Sequence, residues 1–375
     1  MKIAIASPLF YPSVGGVEQY TLGLFSRLAK QYGHSITVIA LNTHGSSERE
    51  EIEGLSIIRI KSFPPCFNPL FSPREARMRL EEIGIDSFDV IITQCRYYFF
   101  TAFMALYCAR RALHHIHIEH NAGHMPHRSP FISLLSLLYD ISVGRAVLHA
   151  PRGMIYVSRD VEQFCNKRFG VHMPYCVAPY SVDMHEPMQK KQPDLDSKVL
   201  IVYVGRLIRQ KGIFRLLTAY RDAKLAHTQL IIVGDGPERA AVNRMISRYN
   251  LRTVRLLEEI PMCEIDALLD RADIFVNPTY YPEGFQISLL QAAHKGCAII
   301  STDAPGVREL LDNGRCGMIV PHRALRIALE RLARDASFRS VFSRRVRAFT
   351  ADRFSWDSTL SRVQEFLLSY ASQKS

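Results

Sequence analysis

Short runs rich in β-branched residues alternate with longer amphipathic stretches from one end of the chain to the other. The first half carries KIAIAS, ITVIAL, LSIIRI, DVIITQ, IHIEH and GMIYVS, and the second VLIVYVG, QLIIVG, VRLL, IFVNP and CAIIST. Strands that alternate with helical stretches predict parallel sheets wound by right-handed crossovers, hence a doubly wound α/β domain in each half. A chain of 375 residues also exceeds what one hydrophobic core serves, so two domains are expected. The first spans 1–184 and the second 199–354. Between them HEPMQKKQPDLDSK, 185–198, is polar, strand-free and carries two prolines, as a linker would. A last amphipathic helix is expected over about 355–372, with the single tryptophan, Trp356. No fixed-period repeat is present.

Composition changes this picture little: 47% apolar and 22% charged residues are those of an ordinary folded protein. The N-terminal apolar run ends within ten residues, with neither basic flank nor cleavage site, and reads as a strand rather than a signal peptide. The longest apolar stretches, such as FISLLSLLYDISVG from Phe131, fall short of the roughly 20 residues that span a bilayer, so a soluble or peripherally bound protein is expected. Eight scattered cysteines without a C-x-x-C pair suit a cytoplasmic, reduced, metal-free chain.

Charge says more. Lysine and arginine exceed aspartate and glutamate by 47 − 36 = 11, which asks for anionic company such as nucleotide phosphates, acidic lipid or nucleic acid. Residues 323–353 hold nine arginines against three acids, either a solvated helical face or a membrane-surface patch.

In an open parallel sheet ligands sit beyond the carboxyl ends of the strands, and several unusual residues fall there. Gly15 and Gly16 follow the first strand and precede a helix expected from about Val17 to Gln31; they let a ligand approach the backbone, although G-x-G-x-x-G spacing is missing. His120 ends the strand LHHIHIE, where it can bond a sugar hydroxyl or phosphate, or move a proton near neutral pH; His124 and His127 follow. Arg206 and Lys211 follow VLIVYVG and can neutralise a diphosphate, one as a fork and one as a point charge. Gly234-Asp235-Gly236-Pro237 makes a sharp turn that need be no more than structural. In NPTYYPEGFQISLLQAAHKGC, Glu283 lies on a loop before a helix expected to begin near Gln286, whose amides form an anion site. An ordinary strand-to-helix connection explains this equally. Gln291 lies about 7 Å further along the axis, the separation of a diphosphate from its ribose.

Together these residues resemble the retaining GT-B glycosyltransferases of family 4. The similarity rests on PSVGG-x-E, IEHNAGH, VGRLIRQKG, IIVGDGPE, ADIFVNP, EGFQISLLQAAHKGC and APGVRELLDNGRCGMIVP, in that order over nearly the whole chain. It implies a GT-B fold, two doubly wound Rossmann-like domains facing a central cleft, with the final helix crossing back to the first. It implies that Arg206 and Lys211 hold the donor diphosphate, that Glu283 faces the transferred sugar, and that backbone amides of Gly284, Phe285, Gln286 and Ile287 meet sugar and phosphate. Gly15 and Gly16 would line the cleft, and His120 would stand near the reacting carbon and acceptor. Gln291 replaces the family's second glutamate, which meets the ribose, so weaker donor binding is expected rather than lost chemistry. Tyr180-Ser181-Val182-Asp183 replaces the usual Asn-Gly-Val-Asp, and LLEEIPMCE lacks the usual glycine, leaving the nucleobase pocket unreadable.

The implied activity is retaining transfer from a UDP- or GDP-linked sugar to a saccharide or lipid-linked saccharide, in cell-envelope polysaccharide or glycolipid synthesis. No metal or other cofactor is expected, because two cations already serve the phosphates and no Asp-x-Asp clamp appears beside these motifs. Domain closure would exclude water. SFPPCFNPLFSPREARMR, from Ser62, and YYFFTAFMALYCARR, from Tyr97, mix aromatics with arginines as a segment resting on an anionic leaflet would, though core packing explains the second equally. A non-catalytic nucleotide-sugar sensor is the rival that Gln291 suggests. Nucleic-acid binding, prompted by the charge, lacks a recognised module.

Overall fold

The computed structural model describes residues 1–13, 15–63, 68–124, 129–182 and 198–372. Two compact units emerge, one of residues 1–180 and 356–375 and one of 181–355. Of the expected linker, 185–197 lie outside the described residues, as do His127 and Cys66.

All eleven apolar runs form strands. In the first unit β1 (Lys2–Ser7), β2 (Ser35–Asn42), β3 (Arg49–Ile52), β4 (Leu55–Lys61), β5 (Val90–Gln94), β6 (His115–Glu119), β7 (Gly153–Tyr156) and β8 (Tyr175–Val177) make one sheet, ordered β3-β4-β2-β1-β5-β6-β7-β8. It is not wholly parallel, as the sequence led one to expect: β3 runs antiparallel to β4. Its Arg49, Glu50 and Glu51 are charged and exposed, so no apolar run announces it, and Glu53 and Gly54 close the hairpin at φ 52° and 79°.

The helices of this unit are α1 (Gly16–Tyr32), α2 (Pro73–Glu82), α3 (Phe99–Arg110), α4 (Pro130–Tyr139), α5 (Arg145–His149) and α6 (Arg159–Phe169). Residues Asp140–Gly144 form a π-helical turn that joins α4 to α5 into one helical stretch. That stretch, Pro130–His149, has 20 residues and is long and apolar enough to cross a membrane by length and composition, which corrects the shorter reading from Phe131. The sequence pattern breaks at Asp140, but the backbone does not.

The second unit holds β9 (Val199–Val204), β10 (Thr228–Val233), β11 (Val254–Leu257), β12 (Ile274–Asn277), β13 (Ala298–Ser301) and β14 (Met318–Ile319), ordered β11-β10-β9-β12-β13-β14 and parallel throughout. Counted within the unit this is the order 3-2-1-4-5-6, whose direction reverses between its first and fourth strands. Its helices are α7 (Ile213–Ala223), α8 (Arg239–Arg248), α9 (Met262–Arg271), α10 (Ile287–His294), α11 (Val307–Leu310), α12 (Leu325–Arg334) and α13 (Ala336–Arg353). Leu216, Leu217, Leu325, Leu329 and Leu332 cover one sheet face over Ile201, Ile232 and Ile300, each of them buried. Eight of the nine arginines of 323–353 are exposed, as a solvated face and a membrane-surface patch both require. The ninth, Arg339, is buried and donates to the Leu332 carbonyl at 2.7 Å.

The last helix, α14 (Trp356–Ser372), belongs to the first unit. A Cβ on Gly23 of α1 would stand 2.7 Å from the Trp356 ring, so only glycine admits the indole there. Tyr370 donates to the His115 carbonyl at 3.0 Å and Arg362 to the Val177 carbonyl at 3.1 Å, tying α14 to β6 and β8.

Candidate active site

In the second unit the chemistry gathers where the strand order reverses. Arg206 follows β9 and stays exposed. The turn that carries it is held from behind: Gly205 donates to Val233 at 3.1 Å and Leu207 to Asp235 at 2.8 Å. A Cβ at Gly234 would lie 2.2 Å from the Gly205 carbonyl oxygen, and one at Gly236 2.7 Å from that of Leu207. The turn thought merely structural is thus what allows the Arg206 loop its position. After it, a 3-10 turn over Arg209–Lys211 ends at Gly212, at φ 75°, where a Cβ would stand 2.0 Å from the Pro278 carbonyl oxygen.

That close approach brings the β9 and β12 loops together. Tyr280 donates its N–H to Gln210 at 2.9 Å, and the Thr279 hydroxyl donates to the same carbonyl at 3.3 Å. Lys211 Nζ then meets Glu283 Oε2 at 2.6 Å, with both side chains only partly exposed. Burial, then the Glu283 carboxylate, raise the Tyr281 hydroxyl, and Arg206 pulls it down; Arg206 and Glu283 therefore act on one neighbourhood.

α10 begins at Ile287, with Gln286 as its extended N-cap residue and no side-chain bond closing the first turn. The buried Gln286 side chain instead braces the loop, accepting from Asn277 at 3.3 Å and donating to the Pro305 carbonyl at 3.0 Å. Gly284 is buried, and Phe285 lies 5.6 Å from the Phe354 ring. Both depend on Gly306, at φ 79°, where a Cβ would come within 2.8 Å of the Gly284 carbonyl oxygen. The Gln291 amide turns to the sulfur of Met262 at 3.1 Å.

The first unit's candidates lie beyond β1, β5 and β6, again where the order reverses. Gly15 is the N-cap residue of α1, and a Cβ on it would meet the Glu18 carboxylate at 2.5 Å. Burial raises the Glu18 carboxyl to about 7, against bonds from its own N–H and that of Gly15 that lower it. Gln94, at the end of β5, donates to Ser7 at 2.7 Å and Thr21 at 2.9 Å, and its oxygen lies 3.3 Å from His120 Nε2. An amide oxygen can only accept, so His120 carries its proton on Nε2 and keeps a lone pair on Nδ1. Its ring stands edge-on to Tyr20 at 5.2 Å, and burial lowers its pKa to about 4. The ring expected to titrate near neutrality is therefore uncharged there.

Behind His120 lies a polar cluster with no counterpart in the sequence reading. Arg96 is fully buried; it bonds Asp140 at 2.7 Å, Glu119 at 3.0 Å, and the carbonyls of Asn121 at 3.2 Å and Gly123 at 2.9 Å. Glu119 accepts the N–H groups of His120 and Asn121 at 2.8 and 2.9 Å. Burial drives the Glu119 carboxyl up, but Arg96 and His117 outweigh it and hold the group well below the carboxylate range. Asp140 also binds His124, which is thereby a structural histidine.

The structure thus joins Lys211 to Glu283 and sets Arg206 and the α10 mouth beside them; in the first unit it links Gly15, Gly16 and His120 through α1 and Gln94. Glu18, Gln94, Arg96, Asp140 and Gly306 went unread. Glu18 and Gly306 lie inside quoted motifs. Gln94, Arg96 and Asp140 have partners distant in sequence, and no local signal marks them. Among the described residues no three His, Cys, Asp or Glu side chains converge as a metal site.

Comparison with known proteins accounts for both halves. The glycosyltransferase family 4 profile matches residues 14–186, and that of glycosyl transferases group 1 matches 185–349. The chain belongs to this family and is a glycosyltransferase of EC class 2.4, built on the GT-B fold and served by nucleotide-sugar donors. An uncharacterised glycosyltransferase of Methanocaldococcus jannaschii is 22% identical over 97% of both chains. Among solved structures, sucrose-phosphate synthase from Thermosynechococcus elongatus superposes with a TM-score of 0.82 at 19% identity, covering 99% of each chain. The Anabaena protein HepE in complex with UDP and glucose gives 0.75 at 16%, covering 98% of this chain and 100% of its own.

Proposed function

We propose that this protein transfers a sugar with retention of configuration from a UDP- or GDP-linked donor to a saccharide or lipid-linked saccharide in envelope polysaccharide or glycolipid synthesis. The observation that carries the reading is the Lys211–Glu283 pair at 2.6 Å, on the loop that leads into the uncapped α10 terminus, with Arg206 acting on the same Tyr281 as Glu283. Transfer breaks the bond between the sugar C1 and the phosphate oxygen, which leaves with the electron pair. Fixed positive charge aimed at that oxygen lowers the barrier without reorganisation. Lys211 has three N–H donors, so it can keep Glu283 on one and offer another to the diphosphate, while the first-turn amides and Arg206 take the remaining charge. Glu283, anchored by that pair, is left an oxygen for sugar hydroxyls. No metal is required in this scheme.

With retention, the acceptor oxygen bonds C1 on the face the phosphate leaves, and its proton passes to the departing phosphate. In the first unit, neutral His120 offers Nδ1 as acceptor to a sugar hydroxyl. HepE, solved with UDP and glucose, supports a uridine donor. The test is thermal shift across UDP and GDP sugars, then turnover with NMR of the product anomer, with and without EDTA. Retention and indifference to EDTA are expected. An inverted anomer sinks the mechanism, and binding without transfer or hydrolysis makes the protein a sensor.

A further inference from the structure

Among the described residues, the stretch Pro130–His149 presents an exposed apolar face. Phe131, Leu134, Leu135 and Leu138, spaced as one helical stripe, are 67%, 52%, 49% and 49% exposed, and α4 buries no residue. Such a stripe normally faces a core. Its surroundings extend it: the Phe99 ring of α3, itself exposed, stands 5.6 Å from Tyr139.

The exposed charge on the stretch itself is positive. Within Pro130–His149 the ionised side chains are Arg145, which is exposed, and Asp140, which is buried and bound to Arg96. Exposed Arg145 follows Ile141 by one turn, and exposed Arg168 reaches Asp140 through His124. An outward apolar stripe whose own exposed charge is Arg145, with Arg168 beyond it, complements an anionic bilayer surface. A second copy would set like charges against each other. Spanning is disfavoured as well, because Asp140 sits mid-stretch and its withdrawal would strip Arg96 of a buried partner.

We propose that α4 and the turn after it lie in the surface of an anionic membrane, the partner that a lipid-linked acceptor implies. The proposal deepens the function proposed above and rests on it only for the acceptor's nature. Docking would also reach the site: Asp140, which closes the stripe, binds the same Arg96 that holds the carbonyls of Asn121 and Gly123 beside His120.

The full chain is sedimented with phosphatidylcholine vesicles with and without phosphatidylglycerol. Binding is expected only to the anionic vesicles and should weaken with salt. Leu134→Asp/Leu138→Asp and, separately, Arg145→Glu should each reduce it by roughly tenfold or more, while thermal shifts by UDP and GDP match the parent's. Should the double variant misfold, Arg145→Glu alone decides. Indifference to anionic vesicles, parental binding by a folded variant, or a concentration-dependent dimer that the double variant abolishes overturns the proposal. Vesicle binding without any UDP or GDP shift would instead fell the donor reading and leave this one standing.

Discussion

The two units solve similar problems with different materials. In the second, ionised groups sit partly exposed at loop tips, set by glycines that let one backbone approach another, as Gly212 approaches Pro278 and Gly234 approaches Gly205. In the first, the comparable positions are filled by buried, largely neutral groups in a continuous hydrogen-bonded network from Ser7 and Thr21 through Gln94 to His120. Under the function proposed above, the second unit would meet a diphosphate by charge and dipole, which need little shape, and the first would distinguish a hydroxyl acceptor from water by groups already fixed. The difference also marks what substitution should break: charge in one unit, burial in the other.

The sharpest break should come from Lys211→Ala or Arg206→Ala, each expected to cut kcat/KM about 100- to 1000-fold, on the order of a removed oxyanion donor. Steady-state kinetics at saturating acceptor check this, and parental turnover by both variants would dissolve the contrast. Next, Gly212→Ala should cost about 3 kcal/mol of stability, because its Cβ would meet backbone 2.0 Å away at φ 75°; the melting temperature reports it.

The third break concerns the first unit and has a pH signature. Folding raises the Glu18 carboxyl from 4.5 to about 7, so its neutral form favours the folded state; that contribution is complete below about pH 4.5 and is lost as pH climbs through 7. Glu18→Gln should therefore leave stability nearly unchanged near pH 4.5 and raise it by about 3 kcal/mol at pH 8, as denaturant melts at both values would show. Equal gains at both would mean that the buried charge is not the cause. The smallest effect is Gln291→Glu. A carboxylate accepts from ribose hydroxyls more strongly than an amide, so donor affinity should rise by about 1 kcal/mol, read by calorimetry with UDP and GDP. The Gln291 amide now faces Met262, and an unchanged Kd would mean that position 291 does not meet the ribose.

The eleven apolar runs were legible because burial on both sheet faces writes itself as continuous β-branched sequence. Short edge strands carry no such signal: β3 reads REEI and β14 has only two residues. The donor candidates were legible for a related reason, since a strand, a glycine and a cation are neighbours in the chain. Lys211 and Glu283 lie 72 positions apart, yet each could be placed past its own strand.

What the sequence determined by itself is therefore the order of the eleven apolar strands, the family, and which residues stand at their ends, all properties carried by neighbouring positions. The tertiary structure alone decided the rest: that Lys211 engages Glu283, that His120 is neutral and held through Gln94, that the helical stretch from Pro130 runs on to His149, and that the apolar stripe of α4 faces outward. Each of these depends on distances between residues far apart in the chain and on the loss of water around them, and neither has a local signature.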